Sequence, residues 1–219
     1  MTIMPSPLAG AGTLGFTAVM GPADIHVDAD EGQRLAGPFS VRLAVRDDVS
    51  AMERLIATSA RLLSRGFYTN EEIEAAITHV FGVDTDLVDD GTYLIVERDG
   101  DMLGVGGWSR QRTLFGGSRF GARTPGFLDP AIDAARIRAF FVAPEAARLG
   151  VGAFLLAECE RRARAAGFTR TALMATLPGE PFYARHGYVA ERAITQPCGE
   201  ISVRFVPMSK RLRTDGVTE

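Results

Sequence analysis

The stretch from Arg136 to Phe168, RIRAFFVAPEAARLGVGAFLLAECERRARAAGF, commits the chain to a strand that runs at once into a helix. Residues Arg136 to Val142 alternate in the strand manner, which predicts Ile137, Ala139 and Phe141 on one face. Pro144 has no amide hydrogen and stops the ladder at Val142. From Val151 the apolar residues Phe154, Leu155, Cys159, Ala163 and Ala166 recur at helical spacing, and Gly167 supplies the stop. Glu158 with Arg162 and Glu160 with Arg164 are i,i+4 pairs expected on the wet side of that helix.

The junction itself, Ala147 to Ala153, contains no Ser, Thr, Asp or Asn to satisfy the free amides of the helix start. Gly150 and Gly152 allow close backbone approach, the helix dipole favours negative charge, and Arg148 adds a fixed cation. Arg148, Leu149, Gly150, Val151, Gly152 and Ala153 therefore form a candidate cradle for a pyrophosphate. The same two glycines also suit an ordinary strand-to-helix turn that holds no ligand.

Upstream, Val41 to Val45 reads as a strand, followed by Asp47 and Asp48 as N-cap candidates and a helix with apolar Val49, Met52, Leu55, Ile56 and Leu63. Thr69 and Glu72 form a capping box ahead of a stripe made by Ile73, Ala76, Ile77, Val80 and Phe81. Tyr93 to Glu97 and Met102 to Trp108 are strands joined at Asp99-Gly100, a strong hairpin signal. The order of strand, helices, meander, βα unit and final hairpin predicts a mixed α/β fold, a central mixed β-sheet flanked by helices.

Val142-Ala143-Pro144 and Gly150-Val151-Gly152 resemble the acyl-CoA signature of the GNAT acyltransferases, in which Arg/Gln-x-x-Gly-x-Gly/Ala follows a strand ending in Val-x-Pro. Ala147 stands where that pattern has its first Arg or Gln, with the cation one place on at Arg148. Ala175 to Pro178, Pro181 to Tyr188 and Met208 to Lys210 continue the resemblance, which spans about residues 41 to 212. It implies the GNAT fold, acetyl-CoA as co-substrate and no metal. It also implies a V-shaped opening between the 136–142 strand and the parallel strand Thr171 to Thr176, where pantetheine pairs like an extra strand.

In that reading the backbone of Phe140, Phe141 and Val142 polarises the thioester carbonyl, and Tyr183, whose phenol is protonated at neutral pH, matches the general acid that reprotonates the thiolate. Tyr183 is equally a packing partner for Phe182. Glu97 and Asp133 are the acidic candidates for a general base, neither with a motif behind it. His26, His79 and His186 have no partner spacing for a triad or a metal site.

On the acceptor side, Ser109 to Leu128 carries Arg110, Arg112, Arg119 and Arg123 and no acid, beside Trp108, Phe115, Phe120 and Phe127. Trp108, Arg110 and Arg112 are candidates for holding a small amine that bears a carboxylate or aromatic group; the arginines equally suit steering of CoA phosphates or a solvated loop.

A formal net charge of -3 argues against nucleic acid as the partner. Cys159 and Cys198 fit neither a metal spacing nor a disulfide framework, which points to the reducing cytoplasm. No Lys or Arg precedes Arg34, and the apolar run Leu8 to Met20 is too short and too glycine-broken to span a bilayer. Residues 1–39 therefore read as an extension, either a flexible tail or an arm packed on a second subunit of a homodimer; residues 40–213 form the catalytic domain and 214–219 a tail. Three functions fit: an acetyl-CoA-dependent N-acetyltransferase of a small amine or amino acid, acting by direct attack in a ternary complex; an acyl-CoA sensor without turnover; and an acetyltransferase of proteins or peptides.

Overall fold

The computed structural model describes residues 39–118, 120 and 124–213. Strand β1 (Ser40–Leu43) leads into helices α1 (Val49–Leu63), α2 (Asn70–His79) and α3 (Thr85–Asp89). The meander β2 (Tyr93–Arg98), β3 (Asp101–Ser109) and β4 (Ala135–Val142) follows, then α4 (Val151–Ala165), β5 (Arg170–Thr176), α5 (Glu180–Arg185), β6 (Val189–Ala190), β7 (Ile194–Cys198) and β8 (Ile201–Arg211). They build one sheet in the order β1-β2-β3-β4-β5-β8-β6, with β7 beside β8. Every pairing is antiparallel except that of β4 with β5. This is the expected mixed α/β architecture. The calls on residues 1–38, including His26, and on 214–219 lie outside the described residues, while Phe39 packs its ring against Phe154 at 6.1 Å.

Local signals act as the sequence reads. Thr69 and Glu72 exchange both capping bonds, Glu72 amide to Thr69 Oγ1 at 3.2 Å and Thr69 amide to Glu72 Oε2 at 2.8 Å. Asp99 and Gly100 take positive φ values of 56° and 89°, the left-handed pair a two-residue hairpin needs. Asp48 differs: it stands at the N-cap of α1 but its side chain makes no capping bond to that helix, because its carboxylate accepts from the Val45 amide at 2.8 Å and pairs with Arg42 at 2.7 Å.

Two hydrophobic cores sandwich the sheet. On one face α4 buries Val151, Leu155, Leu156 and Cys159 against Leu94, Val96, Ile137 and Leu173. On the other, α1 to α3 bury Met52, Ile56, Ala76 and Leu87 against Tyr93, Ile95, Val105 and Phe205. Glycines on β3 set the closeness of this packing: a Cβ at Gly104 would lie 2.9 Å from Val151 Cγ1, and one at Gly106 would lie 2.5 Å from Phe140 Cδ2.

The faces of β4 differ from simple alternation. Val105 pairs with Phe141 but Gly107 with Arg138, so β4 carries one residue more than β3 across this step, a β-bulge with Ala139 at φ 49°. The extra residue shifts the pattern: Ile137 shares the α4 face with Phe140 and Val142, while Phe141 turns to the α1 face. The i,i+4 pair of Glu158 with Arg162 forms at 2.6 Å, joined by Arg161 at 2.8 Å, but Glu158 and Glu160 are buried and not on the wet side, and Glu160 lies 2.7 Å from Lys210 of β8.

All four tyrosines of the chain, Tyr68, Tyr93, Tyr183 and Tyr188, hold their protons more tightly than free phenol, burial being the main cause. Tyr68 is pushed up to about 12. The unfolded chain ionises these groups near pH 10 while the folded chain keeps them neutral, so stability is fully present below about pH 10 and falls as pH rises toward the folded values. An alkaline titration followed at 295 nm should show tyrosinate rising together with loss of near-UV circular dichroism. Stepwise ionisation of the folded protein starting near pH 10 contradicts this account.

Candidate active site

Strands β4 and β5 pair only through Ala135 with Thr171, Arg136 with Ala172 and Ile137 with Leu173. Beyond that point β5 stays with β8 as far as Thr176 opposite Phe205, while β4 bends away at the Ala139 bulge. The Tyr93 hydroxyl donates to the Ala139 carbonyl at 3.0 Å and so ties the bulge to β2. The result is a cleft of about 470 Å³ with the open edge of β4 as one wall. The Ala143 amide donates to Leu103 on β3 at 2.9 Å, and because successive strand amides alternate edges, the amides of Val142 and Phe140 face the cleft and that of Phe141 faces β3.

At the mouth of the cleft, α4 starts on Gly150 with no side-chain cap. The first helical bond is from the Phe154 amide to the Gly150 carbonyl at 3.0 Å, so the amides of Gly150 to Ala153 are left for another acceptor. Arg148 at φ 65° and Gly150 at φ 89° both adopt the left-handed conformation that turns successive amides into one concavity. Gly152 sits beneath the Phe182 ring, where an added Cβ would meet Phe182 Cζ at 3.3 Å. The residues present thus fit a diphosphate: open amides, a helix N-terminus and the Arg148 guanidinium at the cleft wall, joined by Arg185 from α5, which sequence reasoning did not single out.

Helix α5 carries Tyr183 into the same cleft. Phe140 at 6.0 Å, Phe182 at 5.0 Å and Tyr188 at 5.7 Å pack around its ring. Tyr183 is 8% exposed and its hydroxyl makes no hydrogen bond among the described residues, which leaves the O–H free to donate into the cleft. Burial, reinforced by the nearby Cys159 thiol, raises its pKa, so it is an acid at neutral pH and not a base. Cys159 itself is buried with its own pKa raised by burial, the state of an inert thiol.

On the opposite side the cleft is aromatic. Phe81 meets Phe141 at 5.3 Å and Phe205 at 6.0 Å, and Phe115 meets Phe205 at 5.8 Å. Arg138 lies in this wall, fully buried, in an ion pair with buried Asp84 and donating to the Gly116 carbonyl at 2.8 Å. Its place in the β4 alternation was the available signal, since a strand position facing a core that carries Arg demands a buried acid. Tyr68 was likewise missed: its hydroxyl donates to the Arg204 carbonyl at 2.6 Å and accepts from the Leu177 amide at 2.9 Å, which joins the α1–α2 loop to the end of β5.

Several candidates lie elsewhere. Trp108 is buried on the α4 face against Phe168 at 6.3 Å, because the pleat of β3 turns it away from the cleft. Arg110 stacks over Phe127 at 5.0 Å, and Gln111 bridges to Phe127, so this part of the loop closes on itself and Phe115 to Gly117 reach the cleft instead. Arg112 lies beside Gly126, and Arg119 and Arg123 lie outside the described residues. Glu97 accepts from Arg42 at 3.0 Å at the end of β2 and is not part of the cleft wall. Asp133 accepts from the Asp129 amide at 2.8 Å in a turn, and His186 donates from Nδ1 to the Phe182 carbonyl at 2.8 Å. Among the described residues no carboxylate lines the cleft, no group of three or more His, Cys, Asp or Glu could hold a metal ion, and no helix is long and apolar enough to cross a membrane.

The family model for the acetyltransferase (GNAT) domain matches residues 68–212. No curated protein matches the chain. Among solved structures, a GCN5-related N-acetyltransferase from Rhodopseudomonas palustris is similar at a TM-score of 0.61 and 20% identity, covering 83% of this chain and 100% of that one. The PaiA N-acetyltransferase from Thermoplasma acidophilum, in complex with coenzyme A, is similar at 0.55 and 17% identity, over 80% and 99%. Ard1 from Thermoplasma volcanium is similar at 0.54 and 16% identity, over 81% and 100%.

Proposed function

The chain belongs to the GNAT acetyltransferase family, and from that premise we propose that it transfers acetyl from acetyl-CoA to the amine of a small molecule by direct attack in a ternary complex. The observation that carries this reading is the convergence of three features on one cleft: the open β4 edge, the uncapped start of α4 and the free hydroxyl of Tyr183. Bound acetyl-CoA supplies an activated thioester carbonyl. The amides of residues 150 to 153, with Arg148, hold its diphosphate, and the open amides of Phe140 and Val142 hold the pantetheine and draw charge onto the carbonyl oxygen. The acceptor nitrogen, as free base, forms the C–N bond; the C–S bond breaks, Tyr183 gives its proton to sulfur, and the nitrogen's surplus proton leaves to water and restores Tyr183 through solvent. Free, buried Cys159 and Cys198 fit a reducing cytoplasm.

Initial rates measured against both substrates should give intersecting lines, and the mass of enzyme incubated with acetyl-CoA alone should be unchanged. Parallel lines with an acetylated enzyme would replace direct attack with a covalent route. Thiol release that never requires an amine, or binding of CoA without any release, would favour the sensor reading. Gly152→Asp should weaken calorimetric CoA affinity by about tenfold to a hundredfold, since it sets a carboxylate among the diphosphate amides and presses on Phe182. An unchanged affinity in a folded variant would remove the turn from the binding site.

A further inference from the structure

We infer that the acceptor is an aryl or aralkyl amine without a carboxylate, bound in its uncharged form in the aromatic half of the cleft. The inference rests on the acetyl-transfer reading above and adds the substrate class. Phe141 sits next to the Val142 amide that faces the thioester position, and the rings of Phe81, Phe205 and Phe115 continue from it in a chain with centroid spacings of 5.3 Å, 6.0 Å and 5.8 Å. Leu63 of α1 and Met174 of β5 complete an apolar wall. Phe115 and Phe141, the half-buried rings of this chain, backed by buried Phe81 and Phe205, can take a ring by offset or edge-to-face contact and gain affinity from the area that it dries.

Charge in the cleft points the same way. Among the described residues the charged groups lining it are Arg148 at the α4 turn, Arg185 on α5 and Arg138 on β4, with Tyr183 neutral. Arg148 and Arg185 belong to the diphosphate end. Arg138 faces the aromatic half, but Asp84 compensates its charge through a direct ion pair and the Gly116 carbonyl takes one of its donors. An acceptor carboxylate entering here would be desolvated against a cation already neutralised, and an ammonium would meet no carboxylate among the described residues. A neutral amine on an apolar ring avoids both costs.

The test compares 2-phenylethylamine, phenylalanine and 2-aminoethanol as acceptors, at equal free-base concentration and saturating acetyl-CoA. The expected kcat/KM for 2-phenylethylamine exceeds that of each of the others by about tenfold or more, and Phe115→Ala lowers it by about tenfold while calorimetric CoA affinity stays at the wild-type value. A preference for phenylalanine would overturn the inference in favour of carboxylate recognition, and equal rates for 2-aminoethanol, or an unaffected Phe115→Ala variant, would show the ring cluster idle. All three of those outcomes leave acetyl transfer standing. Intact CoA binding with no acetylation of any amine would instead overturn the transfer reading, and this inference with it.

Discussion

Replacing Tyr183 by Phe should lower kcat by about a hundredfold to ten-thousandfold while leaving the KM for acetyl-CoA and the melting temperature close to wild type. The ring makes its packing contacts with Phe140, Phe182 and Tyr188 through carbon, and its hydroxyl holds no protein partner among the described residues, so the substitution removes a proton donor and little else. A donor that acts on the departing sulfur contributes in the transition state and not in the ground state, which is why the loss falls on kcat. The defect should shrink with an acetyl donor whose thiol is more acidic, because a better leaving group needs less protonation. If kcat survives in the variant across the pH range, water protonates the thiolate and Tyr183 is a packing residue only.

The second large effect concerns stability. Asp84 and Arg138 are both fully buried and paired beneath the cleft, so Asp84→Ala leaves a guanidinium desolvated without its counter-charge. Breaking such a pair costs about 3–5 kcal/mol, which for a chain of this length lowers the melting temperature by about 6–20 °C. Asp84 Oδ1 also accepts from the Asp86 amide at 3.3 Å at the start of α3, so the loss extends to that helix and to the loop held through Gly116. The double variant Asp84→Leu with Arg138→Met should recover most of the loss, since an apolar pair of similar volume carries no desolvation penalty. A single variant that melts within 2 °C of wild type, a margin of about 1 kcal/mol or less, would show that solvent reaches the pair.

What the sequence disclosed was local chemistry. Thr69 with Glu72, Asp99-Gly100 and the uncapped Gly150 each determine a cap or turn through bonds within a few residues, and each is found where it reads. The open seam between β4 and β5 followed from the resemblance carried by the strand-to-helix junction. The misreadings share a different cause. One residue inserted at Ala139 reassigns every later side chain of β4 to the opposite face, and simple alternation gives no warning of it. Arg110 and Arg112 look like ligands in a loop rich in cations, yet Arg110 is satisfied by Phe127 and Arg112 lies beside Gly126, so the cleft is lined from the same loop by Phe115. Glu97 and Glu160 are likewise taken by partners 55 and 50 residues away, Arg42 and Lys210, distances over which no spacing rule operates.

The most direct measurement is a crystal structure of the protein with CoA bound. The account predicts the diphosphate on the amides of residues 150 to 153, the pantetheine along the open edge of β4 beyond Ile137, and the sulfur within hydrogen-bonding reach of the Tyr183 hydroxyl. CoA seated outside this cleft, or with its sulfur out of reach of Tyr183, would contradict it.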